Sequence, residues 1–229
     1  MYYYYDATYI LVIAALLLSL FASFGVKMTY AKYQKQPTAR GITGADAARR
    51  VLDMNGLQHI RIEHISGELT DHFDPSANVI RLSDSTYADN SVAAVGVAAH
   101  EAGHAVQHAV GYLPIKVRNA IVPVVNIGSR FSLPLFFIGL LLGSFNLAAL
   151  GVALFSLAFI FQIVTLPVEF NASSRAIKIL DESNLLYDDE IKPAKKVLKA
   201  AAMTYVAAVA STALQLLRLV LILNGRRRD

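Results

Sequence analysis

The chain reads as a mainly α-helical integral membrane protein that carries one small cytoplasmic α+β segment, and three observations predict this. Hydrophobic residues make up 55% of the 229 and charged residues 17%, and the apolar excess is clustered, not spread evenly. Residues 7–26, 131–168 and 200–223 are long apolar runs, interrupted only by Arg218 in the last. Between the first two lies His100-Glu101-Ala102-Gly103-His104, set in an otherwise apolar stretch from Val92 to Val106.

The net charge is +4 and the isoelectric point about 9.2. In a chain this apolar, the basic excess is read as membrane orientation. No stripe of interleaved aromatic and basic residues points to nucleic acid, which is excluded as a partner. The absence of cysteine rules out thiolate metal ligands and disulfides.

Taken in order, residues 1–28 form an N-terminal transmembrane anchor. The 20 uncharged residues 7–26 are long enough to cross the ~30 Å hydrocarbon core as a helix. Tyr2 to Tyr5 ahead of them suit a membrane interface, and no basic segment marks a cleaved signal. Lys27, Lys32, Lys35 and Arg40 follow, which puts the N-terminus outside and the next segment in the cytoplasm.

Residues 29–118 form the cytoplasmic segment. Thr43-Gly44-Ala45-Asp46 predicts a helix start with Ala47, Ala48, Val51 and Leu52 inward, ending at Asn55-Gly56. His59 to Ile65 alternates polar and apolar residues as a half-buried strand with a wet face. A turn at Asp74-Pro75-Ser76-Ala77-Asn78 and a strand over Val79–Leu82 predict a hairpin, whose edge could hold an extended peptide. Asn90-Ser91 offers caps for the helix that carries the two histidines.

Residues 119–167 form a transmembrane hairpin. As one helix, the 38 uncharged residues 131–168 would measure about 57 Å, nearly two bilayer cores, so two spans with a turn at Gly143-Ser144-Phe145-Asn146 are expected. The first then begins near Ala120 and takes Arg130 into the membrane region. Residues 168–199 return to the cytoplasm, with a helix through Ile177–Leu180 and another capped by Asp188-Asp189-Glu190. In 200–229, the 24 residues from Ala200 to Leu223 form an apolar helix ahead of a basic tail. It either spans, leaving Arg226-Arg227-Arg228 outside against the positive-inside trend, or folds back along the cytoplasmic site.

The two histidines carry the chemistry. Four helical residues turn about 400° and rise about 6 Å, so His100 and His104 leave one face a turn apart and can reach a single Zn²⁺ at roughly 2.0–2.1 Å. Glu101 then lies beside the metal, placed to accept a proton from water. With 6 histidines in the chain, chance gives such a pattern in roughly 0.4% of similar sequences. His108 shares the face but lies about 12 Å from His100, too far for one ion. Glu169 is the first carboxylate after the hairpin, an even number of spans away and at the same membrane boundary, and is the expected third ligand. Asp181 and Glu182 are in reserve, while Asp71, His72 and Asp74 match no metal template and read as turn chemistry.

Three stretches carry a family resemblance. They are Leu69-Thr70-Asp71-His72-Phe73-Asp74-Pro75, Ala98 to Gln107, and Leu166-Pro167-Val168-Glu169-Phe170-Asn171-Ala172-Ser173. With their order along nearly the whole chain, they resemble the YugP-like neutral zinc metallopeptidases of bacterial membranes, distant relatives of the HtpX-type and CAAX prenyl proteases. The resemblance implies a zincin-like (gluzincin) segment, a multi-pass protein of the bacterial cell membrane with its active site facing the cytoplasm, and one Zn²⁺ per chain held by His100, His104 and Glu169. In the broader relatives, an aspartate four residues after the ligand glutamate orients a histidine. Here that place is Ser173, which leaves Asn171 or Asp71 for the role. Gln107 stands where the longer metzincin pattern needs glycine, so that pattern fails.

The expected activity is peptide-bond hydrolysis with Glu101 as general base, on protein or peptide substrates drawn from membrane or misfolded proteins. His108, Arg175 and Tyr205 are candidate donors to the oxyanion. A catalytically silent zinc-binding scaffold or protease regulator is the alternative. A metal transporter would need paired polar residues at mid-membrane, where 131–168 offers little beyond Asn146 and Gln162.

Overall fold

The computed structural model describes residues 7–225. The tyrosines at 2–5 and the arginines at 226–228, used above for orientation, lie outside the described residues. In chain order the elements are α1 (Tyr9–Tyr33), α2 (Gly44–Met54), β1 (Arg61–Ile65), β2 (His72–Asp74), β3 (Val79–Ser83), α3 (Val92–Ala109), α4 (Leu113–Leu141), α5 (Phe145–Glu182) and α6 (Asp188–Gly225). The helices α1, α4, α5 and α6 are each long and apolar enough to cross a membrane. The chain forms two compact units, each assembled from separate stretches.

One unit comprises Met1–Ser23, Val117–Leu166 and Thr204–Asp229. Phe136, Ala148, Val152, Leu219 and Leu223 are its buried core. Small residues let the backbones of α4 and α5 close up: a Cβ on Gly139 would meet Ala148 N, and one on Gly151 would lie 2.6 Å from Ser132 O. The expected turn between them is there. Gly143, at φ 66°, sits just past the end of α4, with Ser144 N–H donating to Gly139 O and Gly143 N–H to Leu140 O. Polar groups on the apolar helices find partners. Ser211 Oγ donates to Ala15 O at 2.9 Å, and Arg218 Nε donates to Thr8 Oγ1 while its guanidinium lies 4.7 Å from the Tyr9 ring centroid. Large apolar side chains such as Phe21 and Leu141 are 82% and 85% exposed, which suits lipid and not water.

The other unit comprises Phe24–Lys116 and Pro167–Met203. Thr43 caps α2 in a reciprocal box with Asp46, and Ser91 Oγ caps α3 by accepting from Ala94 N–H. The buried faces of α2 (Ala47, Val51, Leu52) and α3 (Val95, Ala99, Ala102, Val106) meet Ile80 and Leu82 of the sheet and Ala176, Leu180, Ala194 and Leu198 of α5 and α6 in one core. The hairpin expected at 74–78 joins β2 antiparallel to β3, and β1 adds in parallel on the far side, giving the order β1-β3-β2. β3, the central strand, is buried on both sides of its backbone, whereas the wet face carries a charge ladder. Arg81 bridges Glu63 at 3.5 Å and Asp74 at 2.8 Å.

Two boundaries differ from the sequence reading. α4 begins at Leu113, not near Ala120, and the two helices expected around 188 and 200 are one, α6. Ala194, Val197, Leu198 and Ala202 are buried at helical spacing, so the apolar stripe runs straight through the lysine cluster, whose side chains stay exposed.

The Asp74 carboxylate accepts from Arg81 and from the N–H groups of Ala77 and Ser76, and these bonds hold its pKa below the ordinary carboxylate value. A depressed carboxylate stabilises the fold above its unfolded pKa of about 3.9, and that contribution disappears as pH falls through the lower folded value. Thermal unfolding of Asp74→Asn in detergent should therefore depend less on pH than wild type below about pH 4. Parallel curves for the two proteins would show that the turn contributes no linkage.

Candidate metal centre

α3 carries His100 and His104 on one face, with ring centroids 4.7 Å apart. Both side chains are nearly enclosed, at 14% and 12% exposed. α5 delivers Glu169, whose side chain is 3% exposed and whose Oε2 lies 3.4 Å from His100 Nε2 and 3.5 Å from His104 Nε2. One donor atom from each of the three residues lies within 4.8 Å of the others. Two donors about 2.0–2.1 Å from one zinc at the tetrahedral angle stand about 3.4 Å apart, so this donor set fits a zinc ion.

Gly103 makes the convergence possible. A Cβ there would stand 2.7 Å from Ala172 O, so the α5 backbone can approach α3 between the two histidines only because the side chain is missing. Gln107 then ties the helices together. Its side chain is fully buried, and its Nε2 donates to Val168 O at 2.8 Å and to Asn171 Oδ1 at 3.0 Å. A backbone carbonyl can only accept, so the amide's orientation is settled, and Oε1 faces His104 Nδ1 at 3.0 Å. His104 Nδ1 must therefore carry a proton, which leaves Nε2 as the nitrogen facing Glu169 and free to bind a metal once it is deprotonated. His100 Nδ1 is hydrogen-bonded to Ser173 Oγ at 3.0 Å.

Glu101 stands next to this cluster. Its Oε2 accepts the Phe73 N–H of the edge strand β2 at 3.1 Å. Burial pushes its carboxyl above the usual carboxylate range, and His100 and His104 only partly pull it back.

The remaining candidates are dispersed. Asn171 is one link behind the histidines, accepting from Gln107 and from Arg175 Nε at 2.8 Å. Arg175 also lies over the Tyr112 ring, 6.0 Å from its centroid. Asp71 accepts from Ser83 N–H and Oγ and from Thr86 Oγ1, where it braces the end of β3. His108 is exposed with its ring edge-on to Phe73 at 5.9 Å. His72 Nδ1 bonds Thr70 O. Asp181 and Glu182 are exposed at the end of α5, Glu182 lying 3.7 Å from Lys178. Tyr205 belongs to α6 in the other unit.

Gln107 is the residue that sequence reasoning passed over. The signal was available: it lies three positions after His104, on the inward stripe of an apolar helix, where a polar side chain needs a partner.

The profile of the family described as "Putative neutral zinc metallopeptidase" matches residues 8–224. The chain belongs to this family. It is 50% identical over 217 residues to "Putative membrane protease YugP" of Bacillus subtilis (strain 168), a match that covers 94% of this chain and 96% of the relative. No solved structure matches. The family implies zinc, and with four apolar helices and a relative named as a membrane protease the chain is a multi-pass membrane protein.

The close approach at Gly103 is testable. Gly103→Val should lower stability by about 1–3 kcal/mol through overpacking, read as a lower unfolding temperature in detergent. A variant as stable as wild type would contradict the α3–α5 contact.

Proposed function

We propose that this chain is a membrane-embedded zinc endopeptidase, with His100, His104 and Glu169 as metal ligands and Glu101 as general base. The observation that carries the reading is the convergence of three donor atoms, from the buried Glu169 and the nearly enclosed His100 and His104, beside a carboxylate that is not one of them. A structural site would be closed by a fourth protein ligand, and none joins this cluster among the described residues. Zinc, when bound, would supply Lewis acidity, polarising a carbonyl and acidifying water.

The protein's own groups do the rest. Gln107 and Ser173 hold the two imidazoles with Nε2 presented to the metal. Phe73 N–H fixes one oxygen of Glu101, so the carboxylate is aimed before substrate arrives. Glu101 takes the proton of the attacking water and returns it to the leaving amine. Phe73 pairs with Ile80 in register while its N–H points away from β3 to Glu101, so the outer edge of β2 runs along the site. An extended peptide adding to that edge would bring its backbone past Glu101, with side chains alternately toward and away from α3. The substrates are proteins or peptides, from among membrane or misfolded chains.

The site faces the cytoplasm on this reading. Lys27, Lys32, Lys35, Arg40, Lys116, Arg175 and the lysines at 192–199 all belong to the unit with the metal centre. The chain has no cysteine, so single cysteines report topology cleanly. Ser66→Cys, in the exposed loop after β1, should react with an impermeant maleimide only in broken cells, and Leu142→Cys, at the α4–α5 turn, in intact ones. The reverse pattern would invert the topology.

Metal content and hydrolysis of an unfolded protein, measured on detergent-purified enzyme, test the site. Wild type should hold one zinc. Glu169→Ala should lose it. Glu101→Gln should keep it while losing roughly 10²–10⁴-fold in rate. Substantial turnover by Glu101→Gln would remove the general base, and a wild type with zinc but no hydrolysis would favour the silent scaffold. Gln107→Leu should weaken zinc binding by about 10–100-fold while leaving all three ligands in place. Unchanged zinc affinity would limit Gln107 to helix packing.

A further inference from the structure

Away from the candidate metal centre, the same unit contains a cavity of about 450 Å³ between the C-terminal turns of α1 and the N-terminal half of α6. Lys32 lines it from α1, Lys196 and Lys199 from α6, and no acidic residue lines it among the described residues. Met28 and Met203 supply apolar walls, and the buried Tyr33 closes its back. Tyr33 is held in place because it packs with Tyr30, Ala93 and Val197 in a small core of its own. Lys32 Nζ lies 5.4 Å from the Tyr33 ring centroid, so this ammonium is already drawn toward the cavity.

We propose that this cavity binds the phosphate-bearing headgroup of an anionic lipid. Three lysines without a carboxylate among them are complementary to a compact anion, and each near an anionic lipid contributes a several-fold gain in binding. The position is right for a lipid. The lysines stand where the apolar run 7–26 has just ended and where 200–223 is about to begin, which is the depth of the headgroups. The walls discriminate as well. Met28 and Met203 would be left wet by a free phosphate, whereas the first methylenes of an acyl chain would cover them. A zwitterionic headgroup presents the same phosphate with a cation that the three ammonium groups repel. The volume is within the range of small-molecule sites. None of this depends on the protease reading.

Native mass spectrometry of detergent-purified protein, titrated with phosphatidylglycerol or phosphatidylcholine, tests the assignment. Wild type should retain phosphatidylglycerol in preference. Replacing Lys32, Lys196 and Lys199 together by alanine should weaken that binding by roughly tenfold or more. Replacing Lys35, Lys192 and Lys195, which are exposed and do not line the cavity, removes the same charge and should leave binding within about twofold. Lys196→Glu alone should weaken it too, which covers failure of the triple variant to accumulate. Equal loss in both triple variants would mean diffuse attraction and overturn the site. So would undiminished binding in the cavity variants, or equal retention of phosphatidylcholine by wild type. Glycerol 3-phosphate that displaces the lipid at equal concentration would assign the cavity to a soluble phosphate instead.

Discussion

The structure depends on keeping one buried carboxylate beside two imidazoles. Glu169 is almost without access to water, and an isolated carboxylate there would cost several kcal/mol. It is tolerable only because His100 and His104 present polar nitrogen within 3.5 Å, and because a cation is the natural further partner of such a cluster. The arrangement demands that α5 lie against α3 closely enough for a side chain as short as glutamate to reach both rings. That requirement accounts for Gly103 between the histidines, for the buried Ala172 facing it, and for the Gln107 bond to the Val168 carbonyl one residue before Glu169.

The histidine-bearing helix α3 has its own constraints. It starts under a serine cap and a short pairing of Pro37 with Ser91, and it ends at Gly111, where φ 64° lets Tyr112 N–H reach back to Gln107 O. Its inner face is alanine and valine, small enough to sit close to α2 and the sheet. That closeness brings β2 near enough for the Phe73 amide to reach Glu101. One edge strand therefore orients Glu101, the proposed base, and borders the proposed peptide track, two roles that a loop would perform with less precision.

Much of this was legible in the sequence because it rests on period and charge. The histidine spacing on an apolar helix, the Thr43 and Ser91 caps, the hairpin around Asp74-Pro75 and the turn at Gly143 are local signals, and local chemistry decides them. Glu169 was reachable through topology, since only a residue returning to the same boundary could join the histidines. Long-range pairing was not legible. Nothing in Arg61–Ile65 says that it pairs in parallel with β3, whereas Ser173 stands where the resemblance puts a histidine-orienting aspartate, and its hydroxyl does meet His100 Nδ1. Asp71, which with Asn171 was a candidate for that role, is instead engaged by Ser83 and Thr86. The break expected between 199 and 200 was misleading for a different reason. Exposed lysines on one side of α6 interrupt the hydropathy of the sequence without interrupting the buried stripe on the other.

The choice of neutral orienting groups follows from charge balance. A divalent ion with Glu169 and Glu101 beside it sums to zero, so the cluster can be buried without a net charge. A carboxylate behind either histidine would add a buried negative charge that the surroundings do not compensate, because the only arginine in the network, Arg175, is already engaged by Asn171 and Tyr112. Gln107 sets the His104 tautomer through a hydrogen bond alone, and Ser173 anchors His100 Nδ1 with a neutral hydroxyl. They also donate less electron density to the imidazoles than a carboxylate would, which leaves a bound metal the stronger Lewis acid. On the proposed reading, a site built this way would give up some metal affinity and gain polarising power, the balance suited to activating water and not to storing the ion.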